Sequence, residues 1–115
     1  MEGAIEDERL DAVFTALGDR TRRDIVARLC TGEATVKELA EPYAMSMQAV
    51  SQHIRVLERS GLISQGRHRQ TRPCRLEPAA LETALSWIEE SRRTWSDRME
   101  RLETHLARLQ EREGR

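Results

Sequence analysis

Apolar residues recur at helical spacing along most of this chain, and short polar breaks separate the resulting stripes. Two stripes precede residue 31, and they comprise Leu10, Val13, Phe14 and Leu17, then Ile25, Val26 and Leu29. Between them lies Gly18-Asp19, where the Asp19 side chain can cap the second helix. The pattern predicts two core-forming helices.

Residues 35 to 62 have the spacing of two short helices joined by a tight turn. Thr35 and Glu38 have the spacing of a capping box, which marks the start of the first helix, and Pro42 limits its length. Ser46 offers a new N-cap for a helix over Met47 to Ser60, and Gly61 is suited to end it. The segment is therefore predicted to be a helix-turn-helix.

The second of these helices is predicted to have one apolar and one polar face. Val50, Ile54 and Leu57 share the apolar face. The polar face carries amide, hydroxyl and guanidinium groups, on Gln48, Ser51, Gln52, Arg55 and Arg59. Such groups can pair with adenine, guanine or phosphate in a major groove. Taken alone, the same face is also compatible with an ordinary solvated helix.

The segment from Leu62 to Leu76 indicates a short β-hairpin with a basic tip, which after a helix-turn-helix forms a winged helix. Its arginines Arg67, Arg69 and Arg72 are predicted to contact the DNA backbone or a minor groove. Pro73 has no N–H to donate, so its strand is expected to be an edge strand or to be interrupted there.

The net charge of −1 conceals a strong partition of charge along the chain. Residues 1 to 19 carry a net charge of −5, from six acids and Arg9, whereas residues 45 to 76 carry +5, from six arginines and Glu58. The positive charge coincides with the predicted reading helix and wing, as expected of a DNA-contacting surface.

After Pro78 the chain has a heptad pattern that no Gly or Pro interrupts between residues 79 and 113. About 35 helical residues would span roughly 52 Å, more than a domain of this size can cover. Pairing with the same helix of a second subunit is therefore expected, and packing on the first helix of the same chain is the alternative. The predicted dimer interface comprises Leu81, Leu85, Ile88, Trp95, Met99, Leu102, Leu106 and Leu109. Trp87 lies off this seam, where it could pack on the first helix or line a small-molecule pocket.

Four segments together resemble the ArsR-type (ArsR/SmtB) family of bacterial winged-helix regulators. They are Phe14 to Arg22, Glu38-Leu39-Ala40, Val50 to Ile54, and Leu57 to Ile63, and the similarity covers roughly Leu10 to Leu76. This resemblance implies a homodimeric, operator-binding transcriptional regulator, usually a repressor, whose helix over Met47 to Ser60 enters the major groove. The tail around Trp87 and Trp95 is similar to a subgroup that lacks metal ligands.

Departures from the family pattern concern metal sensing. Arsenic and cadmium sensors of the family often carry a Cys-x-Cys pair where this chain has Glu38 to Pro42. Zinc and nickel sensors use Asp, His and Glu sets on the last helix, which here has a single histidine, His105. No metal site and no cofactor are expected, because a metal site needs three or four convergent ligands.

These observations predict a mainly α-helical fold with a small β-hairpin, in which residues 1–115 form a single winged helix-turn-helix domain. Its core spans residues 8–76, and a C-terminal dimerisation helix spans residues 78–112. The expected partners are double-stranded operator DNA and a second copy of the chain, and an unidentified small-molecule inducer is left open. The predicted DNA-contacting residues are Ser46, Gln48, Ser51, Gln52, His53, Arg55, Arg67, Arg69 and Arg72.

Several alternatives remain at this point. His53 borders the apolar stripe and could be structural, and Arg22 and Arg23 could contact phosphate, face solvent or pair with Asp19. Cys30 and Cys74 are expected to be free thiols, with a redox-sensing repressor as an alternative function and a protein-interaction adaptor as another. No catalytic constellation is apparent, so an enzyme is not expected. No membrane-length apolar run or signal peptide is apparent, so a cytoplasmic protein is expected.

Overall fold

The computed structural model describes residues 2–66 and 73–114, which form five helices and three short strands. In chain order these are α1 (Glu2–Leu17), α2 (Arg20–Leu29), β1 (Ala34–Thr35), α3 (Val36–Ala40), α4 (Met47–Arg59), β2 (Ile63–Gln65), β3 (Pro73–Leu76) and α5 (Pro78–Glu113). The fold is mainly α-helical with a small antiparallel sheet, a winged helix-turn-helix followed by a long C-terminal helix, as the sequence predicts.

The predicted cap residues begin and end the helices. Asp19 accepts a hydrogen bond from the Arg22 N–H and caps α2, and Ser46 accepts one from the Ala49 N–H and caps α4. Gly61 follows α4 in a left-handed conformation, with φ of 83°. The Leu62 N–H donates to the Leu57 carbonyl and the Gly61 N–H to the Glu58 carbonyl, which is a Schellman ending.

The sheet has three strands in the order β1-β3-β2, so the predicted two-stranded hairpin was incomplete. Ala34 and Thr35 of β1 pair with Cys74 and Pro73 along the edge of β3 opposite β2. Of the two alternatives for Pro73, an edge strand or an interruption of the strand there, the edge strand was wrong, because β3 is the central strand. Pro73 is its first residue, however, and its carbonyl accepts a 2.9 Å hydrogen bond from the Gly66 N–H. The first position of a strand tolerates the missing N–H of proline.

The hydrophobic core is formed by all of the first four helices, the sheet and the first turns of α5. Its buried members are Val13, Ala16, Ile25, Val26, Leu29, Leu39, Val50, Ile54, Leu57, Leu62, Ile63, Cys74 and Ala84. Every apolar residue of the α4 stripe is fully buried, with Val50 and Leu57 at 0% exposure. This burial fixes which face of α4 remains available to solvent.

The chain divides into two compact units, Met1–Ala84 and Leu85–Arg115. The first contains the core and the helix-turn-helix. The second is the distal part of α5, within which every large apolar side chain is exposed by more than a third. Leu81 falls in the first unit, where it is partly buried against the core, so this one predicted interface residue already packs within its own chain.

Candidate nucleic-acid interface

The helix-turn-helix begins with the predicted capping box. The Glu38 N–H donates to the Thr35 hydroxyl at 3.1 Å, and the Thr35 N–H donates to the Glu38 carboxylate at 3.2 Å. This hydrogen bond from the Thr35 backbone is the main reason that the pKa of Glu38 is lowered. The reciprocal bonds satisfy two backbone donors at the first turn of this five-residue helix.

Arg28 of α2 fixes the end of α3 and the following turn. Its guanidinium donates to the Leu39 carbonyl at 2.8 Å and to the Glu38 carbonyl at 3.0 Å. It also lies 5.7 Å from the centre of the Tyr43 ring, in cation–π geometry. The Tyr43 hydroxyl in turn donates to the Asp24 carboxylate. Sequence reasoning missed Arg28, because nothing near it in the chain shows that the carbonyls of α3 will lie within its reach.

Helix α4 presents the predicted polar face to solvent. Gln48, Gln52, Arg55 and Arg59 are exposed and Ser51 is half-buried, while Ser46 uses its hydroxyl oxygen as the N-cap acceptor at 3.1 Å. Arg55 donates to the Gln52 side-chain oxygen at 3.4 Å, and Arg59 donates to the Arg55 carbonyl at the same distance. Both contacts are long, so these side chains can be redirected to another acceptor at low cost.

Glu58, the single acid between residues 45 and 76, is held beside the sheet. Its carboxylate accepts a 3.1 Å hydrogen bond from the Gln65 side-chain amide on β2. Ser64 on the same strand donates to the Glu77 carboxylate at 2.6 Å. The base of the wing is thereby tied to the end of α4 and to the chain that enters α5.

His53, predicted to contact DNA with a structural role as the alternative, takes part in a network within the protein. Its Nδ1 lies 3.3 Å from a terminal nitrogen of Arg22 and 3.7 Å from the Asp19 carboxylate. Arg22 also donates to the Ala16 carbonyl at 2.7 Å and to the Thr15 carbonyl at 3.1 Å. This arrangement favours the structural alternative for His53, because its Nδ1 faces the corner between α1 and α2.

Arg22 and Arg23 both serve the end of α1. Arg23 donates to the Leu17 carbonyl at 2.8 Å, so together the two arginines contact three carbonyls in the last turn of α1. The Thr15 carbonyl also accepts a 3.2 Å hydrogen bond from the Gly18 N–H. Arg22 does contact Asp19, as one of the considered roles required, but through its backbone. The Arg22 N–H donates to the Asp19 carboxylate at 3.0 Å. That hydrogen bond is the largest cause of the lowered pKa of Asp19. Arg22 has a contact within the protein at each of its three side-chain nitrogens. Arg23 is exposed and uses one terminal nitrogen for the Leu17 carbonyl.

The remaining predicted DNA contacts, Arg67, Arg69 and Arg72, lie outside the described residues. At the base of the wing, Arg75 is exposed and forms a 3.9 Å ion pair with the Glu33 carboxylate. Such an exposed pair contributes little to stability.

The predicted dimer residues beyond Leu81 form one exposed apolar stripe in the second unit. Trp95 is 61% exposed and Leu85 is 55% exposed, and the other members are Ile88, Met99, Leu102, Leu106 and Leu109. Arg92, the charged member of the seam, donates to the Glu89 carboxylate at 3.1 Å. Trp87, outside the seam, is also half exposed. A stripe of this length is a candidate protein-binding surface.

Comparisons with known proteins agree with this geometry. The family described as "Helix-turn-helix domain" matches residues 17–65. The HTH-type transcriptional regulator Rv2034 of Mycobacterium tuberculosis is 42% identical over 78 residues, which cover 65% of this chain and 73% of the relative. The transcriptional repressor SdpR of Bacillus subtilis is 30% identical over 79 residues, which cover 69% of this chain and 88% of SdpR.

Among solved structures, the ArsR family transcriptional regulator RHA00566 superposes with a TM-score of 0.74 at 37% identity, covering 78% of this chain and 93% of that one. This chain belongs to the ArsR family. A solution structure from Mycobacterium bovis, a homodimeric winged helix-turn-helix DNA-binding domain, has the same fold. Its TM-score is 0.63 at 22% identity, and the match covers 76% of this chain and 83% of that one.

As an ArsR-family member, the protein is a DNA-binding transcriptional regulator with a winged helix-turn-helix. The relatives are regulators and not enzymes, which confirms the expectation drawn from the missing catalytic constellation. Within residues 2–66 and 73–114, no three His, Cys, Asp or Glu side chains converge to hold a metal ion. No helix in that part of the chain is long and apolar enough to cross a membrane.

The two cysteines of this ArsR-family protein have contrasting surroundings. Cys30 is exposed at the end of α2, whereas Cys74 is buried in the core from the central strand. Burial raises the pKa of the Cys74 thiol to about 11. A thiol with such a pKa is almost wholly protonated near neutral pH and reacts slowly with oxidants. This argues against the redox-sensing alternative and for Cys74 as a small apolar core residue.

Proposed function

We propose that this ArsR-family protein is a homodimeric repressor that binds a pseudo-palindromic operator through α4 and the wing. One observation carries the proposal: α4 exposes Gln48, Gln52 and Arg55 while its opposite face is buried. A helix anchored on one side and bearing amides and guanidinium groups on the other suits insertion into a major groove. Ser46 and Ser51 complete the proposed reading surface.

The wing supplies contacts that position the protein on the duplex. Arg67, Arg69 and Arg72 are proposed to contact phosphates, because arginine at the tip of a wing meets the backbone beside the groove that the reading helix occupies. The net charge of +5 between residues 45 and 76 supports this division of labour. His53 is assigned to positioning α4, since its Nδ1 faces Arg22 and Asp19.

Dimerisation is proposed to occur through the exposed stripe of α5. Large apolar side chains such as Trp95 and Leu102 would lose their contact with water when paired with a second copy. The homodimeric state of the Mycobacterium bovis domain supports the same assembly. A two-fold dimer would present two copies of α4 to half-sites about one DNA turn apart.

Repression is the regulatory sense that we propose, by analogy with the repressor SdpR. A dimer seated on an operator would compete with the transcription machinery for the same DNA. A protein acting in this way works where the chromosome is, so we propose a cytoplasmic location.

Selection of bound sequences from random double-stranded DNA with the purified protein tests the proposal. We expect an inverted repeat whose half-sites lie about one helical turn apart. Binding to that repeat should weaken steeply as salt rises, because phosphate contacts release counterions. An adaptor that binds only proteins would yield no enriched sequence and no salt-dependent DNA binding, and either result would contradict the proposal.

Two groups of variants separate reading from positioning. Gln52→Ala or Arg55→Ala should reduce the preference for the selected site over random DNA, because each good base contact contributes about 1 to 3 kcal/mol of discrimination. Arg69→Ala should weaken binding to the selected site and to random DNA alike. It should also lower the slope of the logarithm of the binding constant against the logarithm of salt concentration by about one. Equal effects from the two groups would contradict the assignment of α4 as the reader.

A further inference from the structure

A groove lies at the junction of α1, the end of α4 and the first turns of α5, all within the first unit. It has a volume of about 300 Å³. The residues lining this junction groove are Arg9, Val13, Arg59, Ser60, Gly61, Ala79, Ala80 and Thr83. The volume is at the lower end of the range for small-molecule sites, which limits an occupant to a short chain or a single ring.

The lining of the junction groove has one sign of charge. Arg9 and Arg59 are both exposed, no acidic residue lines the groove, and neither arginine forms an ion pair with any residue that the structure describes. An anion placed between them would find two guanidinium groups able to donate hydrogen bonds.

The rest of the lining is apolar or already hydrogen-bonded. Val13, Ala79 and Ala80 offer hydrocarbon surface, and the hydroxyls of Ser60 and Thr83 donate to carbonyls of their own helices at 2.7 Å and 3.0 Å. The available chemistry is therefore guanidinium beside hydrocarbon. It fits a carboxylate carried on a small apolar body.

Arg59 borders a second groove, on the DNA-facing side of α4. That groove is lined by Gln52, Arg55, Glu58 and Arg59. Within the described residues, the only hydrogen bond of the Arg59 side chain is the 3.4 Å contact from its Nε to the Arg55 carbonyl. A side chain held so weakly can turn toward either groove.

We propose that the junction groove binds a small apolar carboxylate and that this ligand weakens DNA binding by drawing Arg59 away from the DNA. The proposal rests on the proposed function, because it uses α4 as the DNA reader. Arg59 lies on the polar face of α4, and the proposal assigns it a phosphate contact there. When its side chain turns into the junction groove, its guanidinium leaves the DNA-facing groove, so the two ligands oppose each other. Such coupling is reciprocal, and DNA should weaken binding of the carboxylate by the same factor.

The first test uses the full-length protein without DNA. Hexanoate serves as the probe, hexylamine as the cation of similar shape, and acetate as the anion without a hydrocarbon body. We expect hexanoate to shift the methyl resonances of Val13, Ala80 and Thr83 saturably, with a dissociation constant of about 1 mM. Acetate and hexylamine should bind at least about tenfold more weakly. Equal binding of hexanoate and hexylamine, or no saturable shift with hexanoate, would overturn the proposal.

Variants connect the binding to the groove. Arg9→Gln should weaken hexanoate binding about tenfold while leaving DNA affinity in place, because Arg9 lies on α1 and away from the reading face. Arg112→Gln removes the same charge from a residue that does not line the groove, and should change neither. If Arg9→Gln instead changes only the dimer dissociation constant in sedimentation experiments, a second copy covers the groove and the carboxylate proposal is wrong.

The second test measures DNA binding at saturating hexanoate. We expect the dissociation constant for the selected operator to rise about fivefold or more for the wild type and to stay unchanged for Arg9→Gln. Hexylamine at equal ionic strength is the control for salt. Operator binding that hexanoate does not weaken would overturn this inference alone, whereas a wild-type protein with no sequence preference would overturn the proposed function and leave the groove test standing.

Discussion

Helix α4 and the distal part of α5 have similar amphipathic patterns but opposite surroundings. The apolar stripe of α4 is fully buried, with Leu57 at 0% exposure, whereas the stripe of α5 beyond Leu85 is exposed, with Trp95 at 61%. In α4 the polar face is the one left for a ligand. In the distal part of α5 the apolar face is the one left exposed to a protein partner.

The difference shows how one periodicity can serve two purposes. A short stripe that its own chain covers contributes to folding and leaves a polar face free for DNA. A stripe about three times as long, extending past the residues that could cover it, retains apolar surface that a second copy can bury. Four substitutions probe this contrast, in order of decreasing effect.

Leu57→Ala should have the largest effect, because it removes a fully buried side chain from the core. We expect the free energy of unfolding to fall by about 2 to 5 kcal/mol in urea denaturation, with the larger value if the cavity does not collapse. Arg55→Ala, two residues away on the exposed face, is the control and should change stability by less than about 0.5 kcal/mol. Similar losses for both variants would remove the distinction between the two faces of α4.

Trp95→Ala should act on assembly and leave the first unit folded. We expect the dimer dissociation constant to rise by about thirtyfold or more. This corresponds to the loss of about 2 kcal/mol of binding free energy, which is typical when a buried aromatic hot spot is truncated. Sedimentation equilibrium measures the constant, and one-dimensional NMR of the Val13 and Ile54 methyl groups checks that the core is intact. Thr104→Ala, on the same helix and outside the seam, is the matched control. An unchanged dissociation constant for Trp95→Ala would remove α5 as the interface.

Arg22→Ala tests the polar part of the first unit. The substitution leaves the carbonyls of Thr15 and Ala16 without this donor, and it removes the neighbour of His53 Nδ1. We expect the free energy of unfolding to fall by about 1 to 2 kcal/mol in urea denaturation, because these groups are only partly buried. Arg20→Ala is the control at a neighbouring exposed position and should have almost no effect. Equal losses would mean that charge, and not the specific hydrogen bonds, accounts for the change.

Asp19→Asn should have the smallest effect, and only its pH dependence is diagnostic. The pKa of Asp19 is lowered, mainly by the hydrogen bond from the Arg22 N–H. Its ionised form therefore stabilises the folded state above the ordinary carboxyl pKa of about 3.9, and this contribution disappears as pH falls through the lowered value. Asn still caps the helix, so the loss at neutral pH should stay below about 1 kcal/mol. Between pH 7 and pH 3 the melting temperature should fall less for the variant than for the wild type. Parallel curves of melting temperature against pH would contradict this assignment.

Much of the helix-turn-helix could be predicted because its signals are local. The capping box at Thr35 and Glu38, the N-cap at Ser46 and the left-handed Gly61 each act within a few residues of the chain. The apolar spacing of α4 likewise specifies its buried face. The candidate reading residues follow directly from that face, since they occupy the opposite side.

Interactions between distant residues could not be predicted in the same way. Strand β1 is two residues long and exists because Ala34 and Thr35 meet Cys74 and Pro73, about forty positions further along. Arg28 reaches the carbonyls of Leu39 and Glu38, and Arg22 reaches His53, only after the helices have packed. His53 could be assigned to either face of α4 from its position in the stripe, and its neighbours in space favour the structural role.

The sequence by itself determined the helices, their caps, the apolar faces and the concentration of positive charge between residues 45 and 76, because these depend on neighbours along the chain. The tertiary structure decided the central position of β3, the burial of Cys74, the packing of Leu81 on its own core and the two grooves that share Arg59. Those features depend on which surfaces meet when the helices pack, and the spacing of residues along one element does not contain that information.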